Sequence, residues 1–100
     1  MSGYRLSRAA ADDLVHIYLE GLALFGPEQA DRYHDGLGAV FVFLAAYPLA
    51  ARLRDEISPP VRVHRYQSHL IIYEIAEDNS VLILRVRHGR EDWLQESDDA

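Results

Sequence analysis

Three arginines and one histidine are concentrated in one short run of the sequence, at Arg85, Arg87, His88 and Arg90. The planar guanidinium group of arginine can make paired hydrogen bonds to phosphates and carboxylates, and imidazole titrates near neutral pH. Such a cluster suits an anionic target, and we expect Trp93, just beyond it, to join the target-binding surface. These residues lie where a predicted strand reaches solvent, and a rigid strand fixes the positions of the charged groups that it carries. The candidate target-binding surface is therefore at the end of that strand.

Two members of this cluster have other interpretations. Arg85 could instead form an internal ion pair, either with Glu74 on the neighbouring strand or with Asp92 beyond the turn. His88 could act as a general acid or base, could bond the backbone at the strand exit, or could simply be partly exposed.

Several kinds of chemistry are excluded by residues that the sequence lacks. Cysteine is absent, which excludes disulfides, thiol catalysis and zinc–thiolate sites, and every one of the ten basic residues is an arginine. Arginine keeps its proton near neutral pH, and lysine is absent. A deprotonated lysine acting as a base or nucleophile is therefore excluded. His64 and His69 flank a turn without a recognisable metal-ligand spacing, and we expect no metal and no cofactor.

The charge of the chain is negative overall but unevenly distributed. The net charge is −6, yet residues 48–90 carry seven arginines against five acids, and residues 91–100 carry five acids and no base. A negative net charge argues against a protein that coats nucleic acid non-specifically. We expect one domain over residues 1–94, an acidic tail over 95–100, no signal peptide or membrane span, and a cytoplasmic location.

Two helices are predicted ahead of the cationic run. A short strand over residues 4–6 leads to Ser7, a good N-cap, and apolar residues then recur at helical spacing as far as Leu24 or Phe25. Gly26 and Pro27 end this helix and begin a second one, which runs to about Tyr47 before Pro48. So short a joint predicts an antiparallel helical hairpin.

The remaining chain predicts a three-stranded antiparallel meander. Residues 49–60 have loop composition, and strands are expected over 61–66, 70–75 and from 81 onwards, with turns at 67–68 and 77–80. Simple alternation along the last strand places its core-facing side chains at Leu82, Leu84, Val86 and His88. The predicted fold class is α+β, an N-terminal strand and a helical hairpin packed on a small antiparallel sheet, with a short C-terminal tail.

The order of these motifs resembles the ParE branch of the RelE/ParE toxin superfamily over about residues 4–93. The closing Ile83–Arg90 run is the most specific of them, although Ala51–Arg54 differs from the Gly-Arg-Pro-Arg-like run of many members. The other matching segments are residues 6–14, Gly26–Ala30, Tyr47-Pro48, Arg62 and Leu70–Tyr73.

This resemblance implies a small toxin of a type II toxin–antitoxin system. Such a toxin would inhibit DNA gyrase, would be neutralised by a ParD-like antitoxin that folds on binding, and would meet operator DNA only through that antitoxin. Apolar side chains that extend around the helices could form part of the antitoxin groove. The expected antitoxin-binding residues are Leu22, Phe25, Tyr33, Phe43, Arg62, Tyr73 and Arg85.

Two alternatives remain open from the sequence. One is a RelE-like, ribosome-dependent mRNA endonuclease, which needs cations to stabilise the phosphorane and a group to move the 2′-hydroxyl proton. The other is a decayed toxin that only binds its antitoxin and co-regulates their operon. Without lysine the binding toxin is favoured, and the residues for the nuclease would be Arg85, Arg62, Arg52, His88 and Tyr73.

Overall fold

The computed structural model describes residues 3–89, which form two helices and five strands on one continuous sheet. In chain order the elements are β1 (Tyr4–Leu6), α1 (Arg8–Phe25), α2 (Pro27–Ala46), a 3₁₀ helix (Pro48–Ala50), β2 (Leu53–Arg54), β3 (Val61–Tyr66), β4 (His69–Ile75) and β5 (Val81–His88). The predicted α+β class is confirmed by this arrangement.

The helical hairpin begins and ends where the capping residues predict. The Ser7 hydroxyl accepts a hydrogen bond from the Ala10 amide (2.9 Å) and donates one to the carbonyl of Leu84 (2.7 Å), so the N-cap of α1 is also tied to β5. Gly26, with φ of +87°, makes the abrupt reversal into α2, and Pro27 opens that helix. The positive φ accounts for glycine at the joint, because a side chain there would be strained.

The sheet has the strand order β1-β5-β4-β3-β2, so β5 lies between the first strand and the meander. The meander is antiparallel as predicted, whereas β1 pairs with β5 in parallel. The loop predicted over residues 49–60 contains more regular structure than its composition suggests, namely the 3₁₀ helix and the edge strand β2. Because β2 has two residues, its alternation is too short to be recognised in the sequence.

The helices cover one face of the sheet, and the main core lies between them. Its largest fully buried side chains are Tyr73, Phe41, Leu37, Leu44, Ile71, Ile83 and Val81. A smaller apolar cluster on the opposite face consists of Ile57, Val61 and Ile72. No helix within residues 3–89 is both long and apolar enough to cross a membrane.

The predicted core face of β5 is wrong for the first half of the strand. Val81 and Ile83 are fully buried under the helices, whereas Leu82 and Leu84 face the other side. The register explains the difference, because Ile72 lies opposite Arg85 while Tyr73 lies opposite Ile83, leaving Leu84 as an extra residue. Such a β-bulge shifts the alternation by one residue, so that Val86 is in the core as predicted.

Candidate functional site

The C-terminal half of β5 forms the floor of a groove of about 680 Å³ beneath the helical hairpin, called here the β5 groove. The walls come from α1, α2 and the β3–β4 turn. Because β1 ends at Leu6, no strand among residues 3–89 pairs with this part of β5 on that side. Arg85, Arg87 and His88 all line the groove, so the structure brings together the described part of the expected target-binding surface. Arg90 and Trp93 lie outside the described residues.

Arg85 makes an internal ion pair, but its partner is neither of the carboxylates considered from the sequence. Its Nε and Nη2 donate to the two carboxylate oxygens of Asp13, at 2.8 and 3.0 Å, in a bidentate contact between β5 and α1. Glu74 lies opposite Leu82 instead, and Asp92 is beyond the described range. The Arg85 side chain is 41% exposed and that of Asp13 only 14%, so the pair lies at the groove wall.

The same carboxylate also accepts a hydrogen bond from the Val86 amide at 2.9 Å. Burial alone would raise the pKa of Asp13, but the hydrogen bonds from Arg85 and Val86 and the positive charges of Arg85 and Arg87 together lower it below its ordinary value of 3.8. Asp13 is therefore ionised at neutral pH. The Asp13 side chain thus accepts a hydrogen bond from the Val86 amide just past the bulge and also fixes the orientation of the Arg85 side chain.

A cluster of aromatic and imidazole rings occupies the far end of the groove. His69 and His88 are directly opposite each other on β4 and β5, with ring centroids 5.3 Å apart. The Tyr33 hydroxyl on α2 is hydrogen-bonded to Nδ1 of His69 at 2.6 Å, and burial raises the pKa of that hydroxyl. His88 therefore belongs to a packed ring cluster rather than standing alone at the strand exit.

This cluster was missed in the sequence for a physical reason. His69 and His88 are far apart along the chain, and only the register between β4 and β5 makes them neighbours. The alternation of side chains places His69 and His88 on the face covered by the helices, which is also the face of Tyr33. Only a correctly predicted register between β4 and β5 would have identified His69 and His88 as neighbours.

Arg62 and Tyr73, expected in the site, instead hold the segment that follows α2. Tyr73 is fully buried, and its hydroxyl donates to the Pro48 carbonyl (2.8 Å) and accepts from the Ala51 amide (3.3 Å). Arg62 donates to the Ala51 carbonyl at 2.6 Å. Tyr73 therefore has no exposed surface through which to contact a partner in this fold.

The residues considered for a nuclease are not brought together. Arg62 and Tyr73 are at the level of Ile83, whereas His88 is five residues further along β5, roughly 15 Å away at the usual rise of a strand. Arg52 is on the surface, where it pairs with Glu56 at 3.4 Å. The candidate cations are thus divided between the loop end and the groove end of the sheet.

Apart from Arg62 and Tyr73, the expected antitoxin-binding residues fall in two places. Phe25 is exposed at the mouth of the β5 groove, with Tyr33 and Arg85 inside it and the half-buried Leu22 nearby on α1. Phe43 is exposed elsewhere, near the end of α2, where its ring makes tilted contacts with the rings of Tyr47 and His64. Within residues 3–89 no group of three or more His, Asp or Glu side chains is placed to hold a metal ion.

The fold has a close counterpart among solved structures. It resembles a chain described as the chromosomal ParDE toxin–antitoxin system from P. aeruginosa, with a TM-score of 0.73 and 24% sequence identity. The similarity covers 88% of this chain and 96% of that one. At this identity the comparison establishes the fold only, and no curated protein sequence matches the chain.

The family is established by the sequence itself. The model of the family described as the ParE toxin of the type II toxin–antitoxin system parDE matches residues 4–93, which is most of the chain. The matched segment includes both helices, all five strands and the whole β5 groove. The chain therefore belongs to the ParE toxin family of type II toxin–antitoxin systems.

Proposed function

We propose that this chain inhibits DNA gyrase, and that a ParD-like antitoxin neutralises it in the cytoplasm by covering the β5 groove. The observation that carries the proposal is the placement of Arg87 and His88 along a groove at the open end of β5, in a chain of the ParE family. The described cations of the expected target surface thus converge on one concave site.

The groove suits binding rather than bond breaking. A guanidinium group offers a planar pair of donors to a carboxylate or a phosphate, and a rigid strand keeps the position of that pair fixed. Arg87 and His88 supply the contacts to the target. Arg90 and Trp93, which we also expect to contact the target, lie outside the described residues. Inhibition then requires only that the toxin stay bound, because a toxin bound to gyrase blocks the movements of the gyrase DNA-passage cycle.

Arg85 has a positioning role in this proposal. Its bidentate contact with Asp13 fixes the wall of the groove and the backbone just past the bulge. Arg87, which lines the same groove, contacts the anionic target. Arg85 can still offer its exposed face to the antitoxin, which we expect to contact Phe25 and Tyr33 in the same groove.

The endonuclease alternative lacks a comparable observation. Its proposed cations are split between two ends of the sheet, and Tyr73 is buried in the core. A decayed toxin that only binds its antitoxin would keep the fold while lacking gyrase inhibition. A functional assay therefore distinguishes all three possibilities.

The test is a gyrase supercoiling assay with purified protein, accompanied by an in vitro translation assay that monitors mRNA cleavage. We expect gyrase inhibition without mRNA cleavage, and we expect Arg87→Ala to raise the half-inhibitory concentration about tenfold, as for loss of one charged anchor. Arg52→Ala is the matched control, because Arg52 is an exposed arginine on the loop rather than in the groove.

Each result has a definite meaning for the proposal. Cleavage of translated mRNA by the wild-type protein, with gyrase unaffected, would establish the nuclease instead. Equal inhibition by the wild type and Arg87→Ala would remove the β5 groove from the target contact. A wild-type protein that neither inhibits gyrase nor cleaves mRNA, but still binds its antitoxin, would support the interpretation as a decayed toxin.

A further inference from the structure

Four of the five histidines in the sequence line the β5 groove. His16 is on α1 and His34 on α2, while His69 and His88 face each other from β4 and β5 at the far end of the groove. Imidazole is the side chain that ordinarily gains or loses a proton between pH 5 and 8. These histidines therefore make the charge of the groove depend on pH.

Without protons on these histidines, the positive and negative charges of the lining balance. Among residues 3–89 the charged side chains that line the groove are Asp13 and Glu20 of α1 and Arg85 and Arg87 of β5, two of each sign. Asp13 and Arg85 are already joined in their bidentate ion pair. The attraction of the groove for an anion therefore depends on protonated histidines as well as on Arg87.

Three further charges lie near this lining. The Tyr18 hydroxyl of α1 donates a hydrogen bond to Asp31 of α2, and the negative charge of Asp35 also acts on that hydroxyl. On β3, the guanidinium group of Arg65 lies beside Gly89, the residue after His88. Arg65 thus adds a positive charge near the histidine pair, whereas the two carboxylates act at Tyr18.

His69 and His88 are placed to hold an anion together. Their ring centroids are 5.3 Å apart, edge to face, and both side chains are half-buried in the groove that Arg87 also lines. Just beyond the pair the Gly89 amide donates to the Ser68 carbonyl at 2.8 Å, which fixes the two strands. Two imidazolium charges at this separation repel each other, whereas an anion between them is attracted by both. A bound anion therefore favours the doubly protonated pair.

Tyr33 can serve His69 in both of its protonation states. The Tyr33 hydroxyl is 2.6 Å from Nδ1 of His69 and 3.4 Å from the Tyr66 carbonyl, and burial raises the pKa of the hydroxyl, which therefore keeps its hydrogen at neutral pH. When Nδ1 of His69 carries no hydrogen, the hydroxyl can donate to it. When His69 is protonated, Nδ1–H can donate to the hydroxyl oxygen, and the hydroxyl hydrogen can turn to the Tyr66 carbonyl. The protonated ring thus has an acceptor inside the protein.

We infer that His69 and His88 together bind a carboxylate of gyrase in a proton-dependent site, and that Tyr33 is the residue that positions His69. Binding takes up protons, so the toxin binds gyrase more tightly at pH 6 than at pH 8. A carboxylate is the expected anion because the net charge of −6 opposes approach to the dense charge of DNA. This inference rests on the proposed function, which supplies the target, and adds to it two residues and a pH dependence.

The test measures binding to purified, DNA-free gyrase by calorimetry at pH 6, 7 and 8, in two buffers that differ in ionisation enthalpy. The difference in heat between the buffers counts the protons taken up on binding. We expect the wild type to take up about one to two protons, and its Kd to be at least about tenfold lower at pH 6 than at pH 8. The sign follows from linkage, because a complex that holds more protons than its separate partners is favoured at low pH.

His69→Gln removes one titrating ring but keeps a polar side chain. We expect it to weaken binding about tenfold at pH 6, to change binding by less than about twofold at pH 8, and to lower the proton uptake by about one. His64→Gln is the matched control, because His64 is on β3 against Phe43 and does not line the groove, and it should reproduce the wild-type profile. Protons taken up by gyrase itself cancel in this comparison.

Tyr33→Phe tests the positioning role, because it keeps the ring contacts with Tyr66 and His69 and removes only the hydroxyl. We expect binding to weaken about fivefold at pH 6 and to be unchanged at pH 8, since the protonated His69 ring requires an acceptor at Nδ1 and the neutral ring does not. A purely structural role would weaken binding equally at both pH values. Thermal melting checks that each variant is folded, and the proton count of the wild type needs no variant.

The possible outcomes separate this inference from the proposed function. Gyrase binding without proton uptake, or with equal uptake by the wild type and His69→Gln, would overturn the inference and leave the proposed function in place. Binding that requires DNA on the gyrase would assign the anion to a phosphate and would also overturn the inference alone. A wild-type chain that binds gyrase at none of the three pH values, with or without DNA, would overturn both.

Discussion

At the scale of single residues, Asp13 links the first helix to the strand that forms the floor of the β5 groove. It accepts hydrogen bonds from two nitrogens of Arg85 and from the Val86 amide, and thereby joins α1 to β5. In the sequence, Glu74 and Asp92 were the carboxylates considered for Arg85, and Asp13 was not. The fold gives it a long-range partner, because Arg85 of β5, 72 residues further along the chain, reaches its carboxylate.

Asp13→Asn should lower the free energy of unfolding at pH 7 by about 1–3 kcal/mol, because the amide cannot reproduce the ion pair with Arg85. The pKa of Asp13 is lower in the folded than in the unfolded state, so its stabilisation is complete above pH 4 and is lost as pH falls through the folded value. The difference between wild type and Asp13→Asn should therefore shrink below pH 4 in denaturant titrations.

Asp12→Asn is the control for this experiment, since Asp12 is the exposed residue next to Asp13. Its effect should stay within about 0.5 kcal/mol across the same pH range. A constant difference between wild type and Asp13→Asn at all pH values would show that the carboxylate charge does not contribute.

At the scale of elements, the two helices and the antiparallel meander were predictable. The places of β1 and β2 in the sheet and the core face of the first half of β5 were not. Ser7, Gly26 and Pro27 act on their own neighbours, so local rules located both ends of the hairpin. The bulge at Leu84 arises from pairing between β4 and β5, and one extra residue reverses the faces of a strand. The groove cluster of His69 and His88 escaped prediction for the same non-local reason.

The segment after α2 supplies the prediction at this scale. Tyr73→Phe should destabilise the protein by about 1–3 kcal/mol, because the Pro48 carbonyl and the Ala51 amide lose the hydroxyl that they share while the core volume hardly changes. Denaturant unfolding measures the effect. Tyr47→Phe removes a hydroxyl from an exposed ring and should be neutral.

A Tyr73→Phe protein as stable as the wild type would mean that water replaces the hydroxyl at this segment. Arg62, which donates to the Ala51 carbonyl, would then be the main link between the sheet and the 3₁₀ helix. Both residues had been expected to contact partners, and the structure gives each a structural contact.

At the scale of the whole molecule, one main core joins both helices to β4 and β5. Leu37 of α2 is fully buried in this core, against residues from the middle of the sheet. Small single domains of this kind generally unfold in one cooperative step. The helical hairpin therefore should not melt separately from the sheet that carries the β5 groove.

Leu37→Ala should lower the free energy of unfolding by about 2–4 kcal/mol, the usual cost of a cavity in a packed core. Far-ultraviolet circular dichroism and tyrosine fluorescence should report the same lowered midpoint. Leu49→Ala, at a highly exposed position, should shift neither signal. Separate midpoints for the two signals would instead reveal independent helical and sheet units.

The position of β5 in the sheet has a consequence for synthesis on the ribosome. It is the last of the five strands to leave the exit tunnel, yet it lies between β1 and β4. Until it emerges, β1 has no strand beside it, Asp13 has no guanidinium to bind, and the groove has no floor. In the proposed function the β5 groove is the inhibitory surface, so a nascent chain does not have that surface before β5 has left the tunnel.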